Sequence, residues 1–306
     1  MYFEMTDEEL RFNKSGPFFH LCTKPIEDVV VFASERDLVI INNMIAIASA
    51  EFELRILAYA IMSNHLHFIL EGDKTNCLAF FYSLTAQLKR YLARHGRAGV
   101  TDRMEPSLLP VDTLQQLRNE IAYVIRNPFV VRVDVNPLAF QWCSGYLYFN
   151  PLIDCTGTPV QELSMRSFYD FAGSRMTEKP SGSTVLVKDG VANPASFVDY
   201  KRAMSFFENA RQFVLWVFKN VEGQVETAKR LGEMPHLNDS ELLTLSFKLC
   251  KTVFKVPNIK ELTEEKRKQL ALRLKNDYGA SNKQIARCTA LSLSDVNAMF
   301  PLSAKK

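Results

Sequence analysis

The chain has 306 residues, of which 47% are hydrophobic and 23% charged, and its formal net charge is +3. This is the composition of a soluble globular protein with enough apolar material for about two domains. No membrane-spanning helix is expected, because no run of 18 or more apolar residues occurs. The polar, acidic start "MYFEMTDEELRFNKSG" does not read as a signal peptide.

Six cysteines at 22, 77, 143, 155, 250 and 288 form no C-x-x-C pair. They are expected as reduced thiols of a cytoplasmic protein. The charge is split along the chain. From Lys251 onward there are 12 Lys plus Arg against 5 Asp plus Glu, a basic tail of +7 on a body of −4. Such a tail is either a solvated face or a contact for a polyanion.

In chain order, "PFFHLCT" (17–23) predicts a first strand. "SERDLVIINNMIAIASAEF" (34–52) predicts a helix, with Ser34 as N-cap and Glu35 and Asp37 in the first turn. "ELRILAYAIM" (53–62) and "HLHFILEG" (65–72) predict two strands joined by a Ser63-Asn64 turn. "NCLAFFYSLTAQLKRYLARHG" (76–96) predicts a long amphipathic helix ending at Gly96, with Lys89, Arg90 and Arg94 upon it and Arg97 just beyond. "VDTLQQLRNEIAYVIRN" (111–127) predicts a further helix, stopped by Pro128. A fourth strand is expected within 129–135 or within 98–110.

This order predicts an α+β fold, a ferredoxin-like or RRM-like antiparallel sheet with helices. The expected domain occupies 1–150. Residues 151–197 follow as a linker and hairpin region, with an Asp189-Gly190 turn signal. A helical C-terminal domain occupies 198–306, with breaks near Gly232 and Pro257.

Two of the five histidines, His65 and His67, are separated by one residue. On a strand they face the same side, roughly 6–7 Å apart along the backbone. They either share a divalent metal or are hydrogen-bonded structural residues. In the following helix, Tyr123 and Asn127 are four residues apart and share a face. Tyr123 offers a phenolic nucleophile, and Asn127 a hard carbonyl oxygen suited to Mg²⁺ or Mn²⁺. Taken alone, Tyr123 is more often a core or surface tyrosine, and Asn127 before Pro128 is most simply a helix-end residue.

"MSNHLHFIL" (62–70) followed by "YVIRNP" (123–128) resembles the single-tyrosine HUH transposases of insertion sequences, most of all the REP-associated tyrosine transposases. "FQWCSGYLYF" (140–149) resembles the W-S-S-Y stretch of many members, and the similarity covers about residues 15–150. Ser63 stands where members often have Pro, and "FVVRVDV" (129–135) departs from the usual segment after the Asn-Pro pair.

The resemblance implies the HUH endonuclease fold and one divalent cation, Mg²⁺ or Mn²⁺, on His65, His67 and Asn127. It implies Tyr123 as the nucleophile on single-stranded DNA with hairpins, giving a 5′-phosphotyrosine and a free 3′-OH. Relatives occur as monomers and as homodimers. Lys89, Arg90, Arg94, Arg97 and Arg126 are candidates for holding the DNA backbone. Two other readings stay open: a domesticated, non-catalytic DNA-binding protein, and a metal-dependent phosphodiesterase that uses water.

Near the C-terminus, "NKQIARCTALSLSDVNAMF" (282–300) fits a helix-turn-helix. Ile285 and Ala286 face inward and Ala290 makes the turn. Ser292 or Ser294 caps the second helix, which packs through Leu291, Val296 and Met299. Lys283, Arg287, Ser294 and Asn297 are its candidate contacts to duplex or hairpin DNA. The alternative is a small helical domain that only packs.

Overall fold

The computed structural model describes residues 5–26, 28–131, 136–176, 178–235 and 237–301. They divide into two compact units, one ending at Lys219 and one beginning at Asn220.

In the first unit a short helix α1 (Asp7–Asn13), closed by a Thr6–Glu9 capping box, precedes strand β1 (Phe18–Thr23). Helix α2 (Glu35–Ser49) starts at Ser34, whose side chain accepts from the Asp37 N–H while Asp37 reaches back to the Ser34 N–H. Strands β2 (Leu54–Ile61) and β3 (Leu66–Gly72) form the expected hairpin about Ser63-Asn64. Helix α3 (Lys74–Arg94), strand β4 (Pro106–Val111) and helix α4 (Leu114–Val131) follow. The sheet order is β2-β3-β1-β4, with every pair antiparallel. This is the ferredoxin-like arrangement with two further helices, α1 before it and α4 after it, and the α+β fold class stands.

The fourth strand occupies the second of its two expected places. Of the first, residues 129–131 continue α4 and residues 132–135 lie outside the described residues. β4 has Pro106 and Pro110 because it is an edge strand, where a missing N–H leaves no ladder bond unmade. The expectation that Pro128 ends its helix is corrected. α4 runs through it to Val131, giving up the hydrogen bond that Pro cannot donate.

Both faces of the sheet are covered, so β1, β2 and β3 are buried almost throughout instead of at alternate residues. On one face the Tyr59 hydroxyl donates to Asn42 Oδ1 of α2 at 2.9 Å, and Phe68 packs edge-on against Phe80 of α3. The other face lies under α4, where His20 meets Glu120.

The W-S-S-Y-like stretch runs beside β2. The Tyr59 N–H donates to Ser144 Oγ at 3.0 Å and the Ile61 N–H to the Trp142 carbonyl at 2.9 Å, which occupies an otherwise open sheet edge. Gly145 is required there. A Cβ at that position would lie 2.5 Å from the Pro137 carbonyl oxygen and 2.8 Å from the Ile125 side chain.

Residues 151–197 contain the expected hairpin, but the segment is built into this unit and is not a linker. Strands β5 (Thr158–Pro159), β6 (Leu186–Lys188) and β7 (Val191–Ala192) form a small sheet, with helix α5 (Met165–Ala172) beside it. The Asp189-Gly190 turn joins β6 to β7 with both residues at positive φ, 51° and 79°. The polar pair Asn42-Asn43 on α2 anchors the segment. Asn43 donates to the Phe171 and Gly190 carbonyls and accepts from the Ala192 N–H, while Asn42 donates to the Ala192 carbonyl. Its Ser- and Gly-rich composition conceals the few apolar residues, Phe168, Phe171 and Val185 among them, that bury with Ala46 and Ile47. Helices α6 (Tyr200–Met204) and α7 (Ala210–Lys219) complete the unit.

The second unit is helical: α8 (Val221–Leu231), α9 (Asp239–Thr252), α10 (Glu264–Tyr278), α11 (Asn282–Thr289) and α12 (Leu293–Met299). It has its own core, including Leu242, Leu270, Leu274, Ile285 and Val296. α11 and α12 form the expected helix-turn-helix, with Ala290 at φ 56° in the turn and Ser292 as N-cap. Ala290 is in the left-handed region that Gly adopts at less cost.

Candidate active site

Strand alternation places His20 and Cys22 of β1 on the face under α4, and Cys22 is in register with His67 of β3. His65 comes just before β3, and its ring packs edge-on against that of His67 with centroids 4.9 Å apart. On α4, Glu120, Tyr123 and Asn127 recur at positions i, i+3 and i+7, one stripe of a helix. The Tyr123 ring lies 5.9 Å from the His67 ring and 6.3 Å from the His20 ring. The structure therefore brings His65, His67 and Tyr123 to one place, with Asn127 one turn further along the same helical stripe.

His20 and Glu120 escaped the sequence reading. His20 Nδ1 is 2.8 Å from Glu120 Oε2, and His20 Nε2 is 3.1 Å from His67 Nδ1, all fully or almost fully buried. A carboxylate accepts only, so Glu120 takes the His20 Nδ1–H and leaves a lone pair on His20 Nε2. The alternation H-x-C in β1 was the available signal. It carried no partner, because Glu120 lies 100 residues away in sequence.

His65 has a comparable support. Its Nδ1 lies 2.8 Å from Asn64 Oδ1, and Asn64 Nδ2 donates to the Ile26 carbonyl at 3.0 Å. Donation from His65 Nδ1 puts that ring's lone pair on Nε2. Burial, reinforced by the neighbouring His65 and His20 rings, holds His67 well below the ordinary histidine range, so its imidazole is neutral near pH 7 and able to ligate a metal. Asn127 is buried, and its Nδ2 has no hydrogen-bond partner. His20, Cys22 and His67 present donor atoms within 4.8 Å of one another, a buried group that could bind a metal. The neutral His67 imidazole, the His65 ring packed against it and the buried Asn127 one turn along α4 also offer donors for a divalent ion, with the amide oxygen as the hard one.

The predicted DNA-holding cations lie elsewhere. Arg126 is 2% exposed and among the largest fully buried side chains, so it is a core residue and not a surface contact. Arg97 is bound to Asp37 through both terminal nitrogens and to the Val31 carbonyl, which makes it a brace between α2 and the end of α3. Lys89 pairs with Asp102 at 2.7 Å. Arg90 and Arg94 are exposed on α3. That helix covers the sheet face opposite the histidines, so none of the α3 cations joins them. In the second unit Lys283 and Ser294 are exposed, Arg287 is paired with Asp239, and Asn297 Oδ1 accepts from Asn282 at 2.9 Å.

Among the described residues no helix is long and apolar enough to cross a membrane. No family model and no curated protein matches the chain. Among solved structures, a REP-associated tyrosine transposase bound to a REP hairpin is similar over 48% of this chain and 83% of that one, at 10% identity and a TM-score of 0.33. The likeness is a distant one.

Proposed function

We propose that the first unit cleaves single-stranded DNA with Tyr123 as nucleophile and transfers the cut strand. The observation that supports this reading is the half-buried Tyr123 ring set against the rings of His67 and His20. In the reaction, Tyr123 Oη bonds to phosphorus and the bond from phosphorus to the 3′ oxygen breaks. The phenolic proton passes to water, the 3′ oxygen takes up a proton, and a 5′-phosphotyrosine remains. Attack by the 3′-OH of another strand reverses these steps, so rejoining needs no nucleotide hydrolysis.

His65, His67 and Asn127 would hold the divalent cation, Mg²⁺ or Mn²⁺. Such an ion supplies Lewis-acid stabilisation of charge on a phosphate oxygen. The buried rings, each oriented by its own hydrogen bond, fix which nitrogens face the substrate. The helix-turn-helix of the second unit is assigned to duplex or hairpin DNA through Lys283, Ser294 and their neighbours.

The test uses single-stranded oligonucleotides copied from the repeats and hairpins flanking the gene, with Mn²⁺. A protein–DNA adduct that resists denaturant is expected with the native chain and absent in Tyr123→Phe. Cleavage that survives Tyr123→Phe would overturn the nucleophile and point to a water-using phosphodiesterase. Binding without cleavage would point to a non-catalytic DNA-binding protein.

A further inference from the structure

The face of β1 under α4 holds a donor set that Tyr123 chemistry does not call for. His20 and Cys22 point to the same side of the strand, and Cys22 stands opposite His67 across the β1–β3 ladder. One nitrogen from each histidine and the Cys22 sulfur lie within 4.8 Å of one another, and all three residues are buried. Two nitrogens bound to one tetrahedral Zn²⁺ at about 2.05 Å are about 3.3 Å apart. His20 Nε2 and His67 Nδ1 are 3.1 Å apart, close to that edge length.

Behind His20, Glu120 accepts from Nδ1 at 2.8 Å. A carboxylate on the far nitrogen is the usual means of orienting a ligating histidine, because it fixes the tautomer and raises the basicity of the other nitrogen. The lone pair of His20 Nε2 is thus left on the side of His67 Nδ1, 3.1 Å away, with the Cys22 sulfur in the same 4.8 Å group. Sulfur plus two imidazoles is a borderline-soft set that favours Zn²⁺ over Mg²⁺ or Mn²⁺. The oxygen of Asn127 has the reverse preference.

We propose that His20, Cys22 and His67 form a site for a thiophilic divalent ion of the Zn²⁺ class, with Glu120 as its positioning residue. On uptake the Cys22 thiol releases one proton to solvent and binds as thiolate. The proton on His67 Nδ1 moves to Nε2, so Nδ1 becomes a ligand. His67 is common to this set and to the one proposed for Mg²⁺ or Mn²⁺; with Nδ1 on the ion and the proton on Nε2 the ring has no second lone pair, so an ion held here takes His67 out of the cleavage set. The site itself is independent of whether Tyr123 cleaves DNA.

The full-length, reduced, metal-free chain would be titrated with Co²⁺, a spectroscopic substitute for Zn²⁺, and then with Zn²⁺ in competition. The expected result is a near-ultraviolet thiolate-to-cobalt charge-transfer band that Zn²⁺ abolishes. The band disappears in Cys22→Ala, which keeps a small apolar residue in the strand. Glu120→Gln keeps the band but lowers Zn²⁺ affinity about 10–100-fold. Far-ultraviolet circular dichroism establishes that each variant is folded, and Cys22→Ser serves where Cys22→Ala is not. Absence of the band in the native chain, or its persistence when Cys22 is replaced, would overturn the proposal and leave the 3.1 Å contact as a plain hydrogen bond. Tyr123→Phe retains the band, which separates failure of this site from failure of the cleavage reading.

Discussion

The two faces of the central sheet are made by the same strands, yet they are filled in opposite ways. Toward α2 and α3, the aromatic residues Tyr59, Phe68 and Phe80 are buried, Phe68 packs on Phe80, and the Tyr59 phenol is satisfied by Asn42. Toward α4, His20, Cys22, His67 and Glu120 occupy positions just as buried. A core gains nothing in stability from a buried carboxylate and imidazoles that an apolar set of the same volume would not supply. The apolar face supplies packing, and the polar face is where the proposed chemistry is placed.

That contrast can be broken from either side. The largest effect is expected from Tyr123→Phe, which removes only the phenolic oxygen. Adduct formation should fall by on the order of 10⁴-fold or more, while the melting temperature stays close to that of the native chain. Gel assay of the adduct and a thermal melt check both halves, and a large loss of stability would place Tyr123 with the apolar face. Phe68→Ala is the mirror experiment. It should cost about 3–5 kcal/mol by urea unfolding, with the cleavage chemistry of the remaining folded molecules preserved.

Asp37 gives a smaller effect with a pH signature. Burial pushes its carboxyl up, but hydrogen bonds from Arg97, Tyr91 and the Ser34 N–H outweigh this and bring it down to about 2. The folded chain therefore binds that proton less readily than the unfolded chain does. The stabilisation is complete above the ordinary carboxylate value of about 4 and is lost as the pH falls toward 2. Asp37→Asn should cost about 2–4 kcal/mol at neutral pH and flatten the acid limb of the unfolding curve. The smallest effect is expected from the double substitution Arg90→Ala and Arg94→Ala. These residues lie on the layer away from Tyr123, so adduct yield on a short oligonucleotide should not change. A marked loss would show that the DNA wraps around to α3.

Much of this was legible in the sequence where the physical signal is local. The capping Ser34, the alternation H-x-H after a two-residue turn and the Asp189-Gly190 hairpin are each set by neighbours in the chain. The helix-turn-helix was legible for the same reason, since its cap, its turn and its inward Ile285 and Val296 all fall within one short segment. What escaped depends on residues far apart. Glu120 becomes significant only when α4 is laid on β1. Arg126 looks like a surface cation until its helix is packed on both sides. Residues 151–197 look like linker because the two asparagines that anchor them sit in the apolar middle of a helix more than a hundred residues earlier.

The boundary at Lys219 has a practical optical consequence. The chain has two tryptophans, Trp142 and Trp216, and both belong to the first unit, where the Trp216 indole N–H donates to Asn119 of α4. The helical second unit contains none. Indole emission is therefore a built-in reporter of one half of the molecule, while ellipticity sums over both. Following the two signals through a single denaturation shows whether the two units unfold together or one after the other, without a label or a truncation.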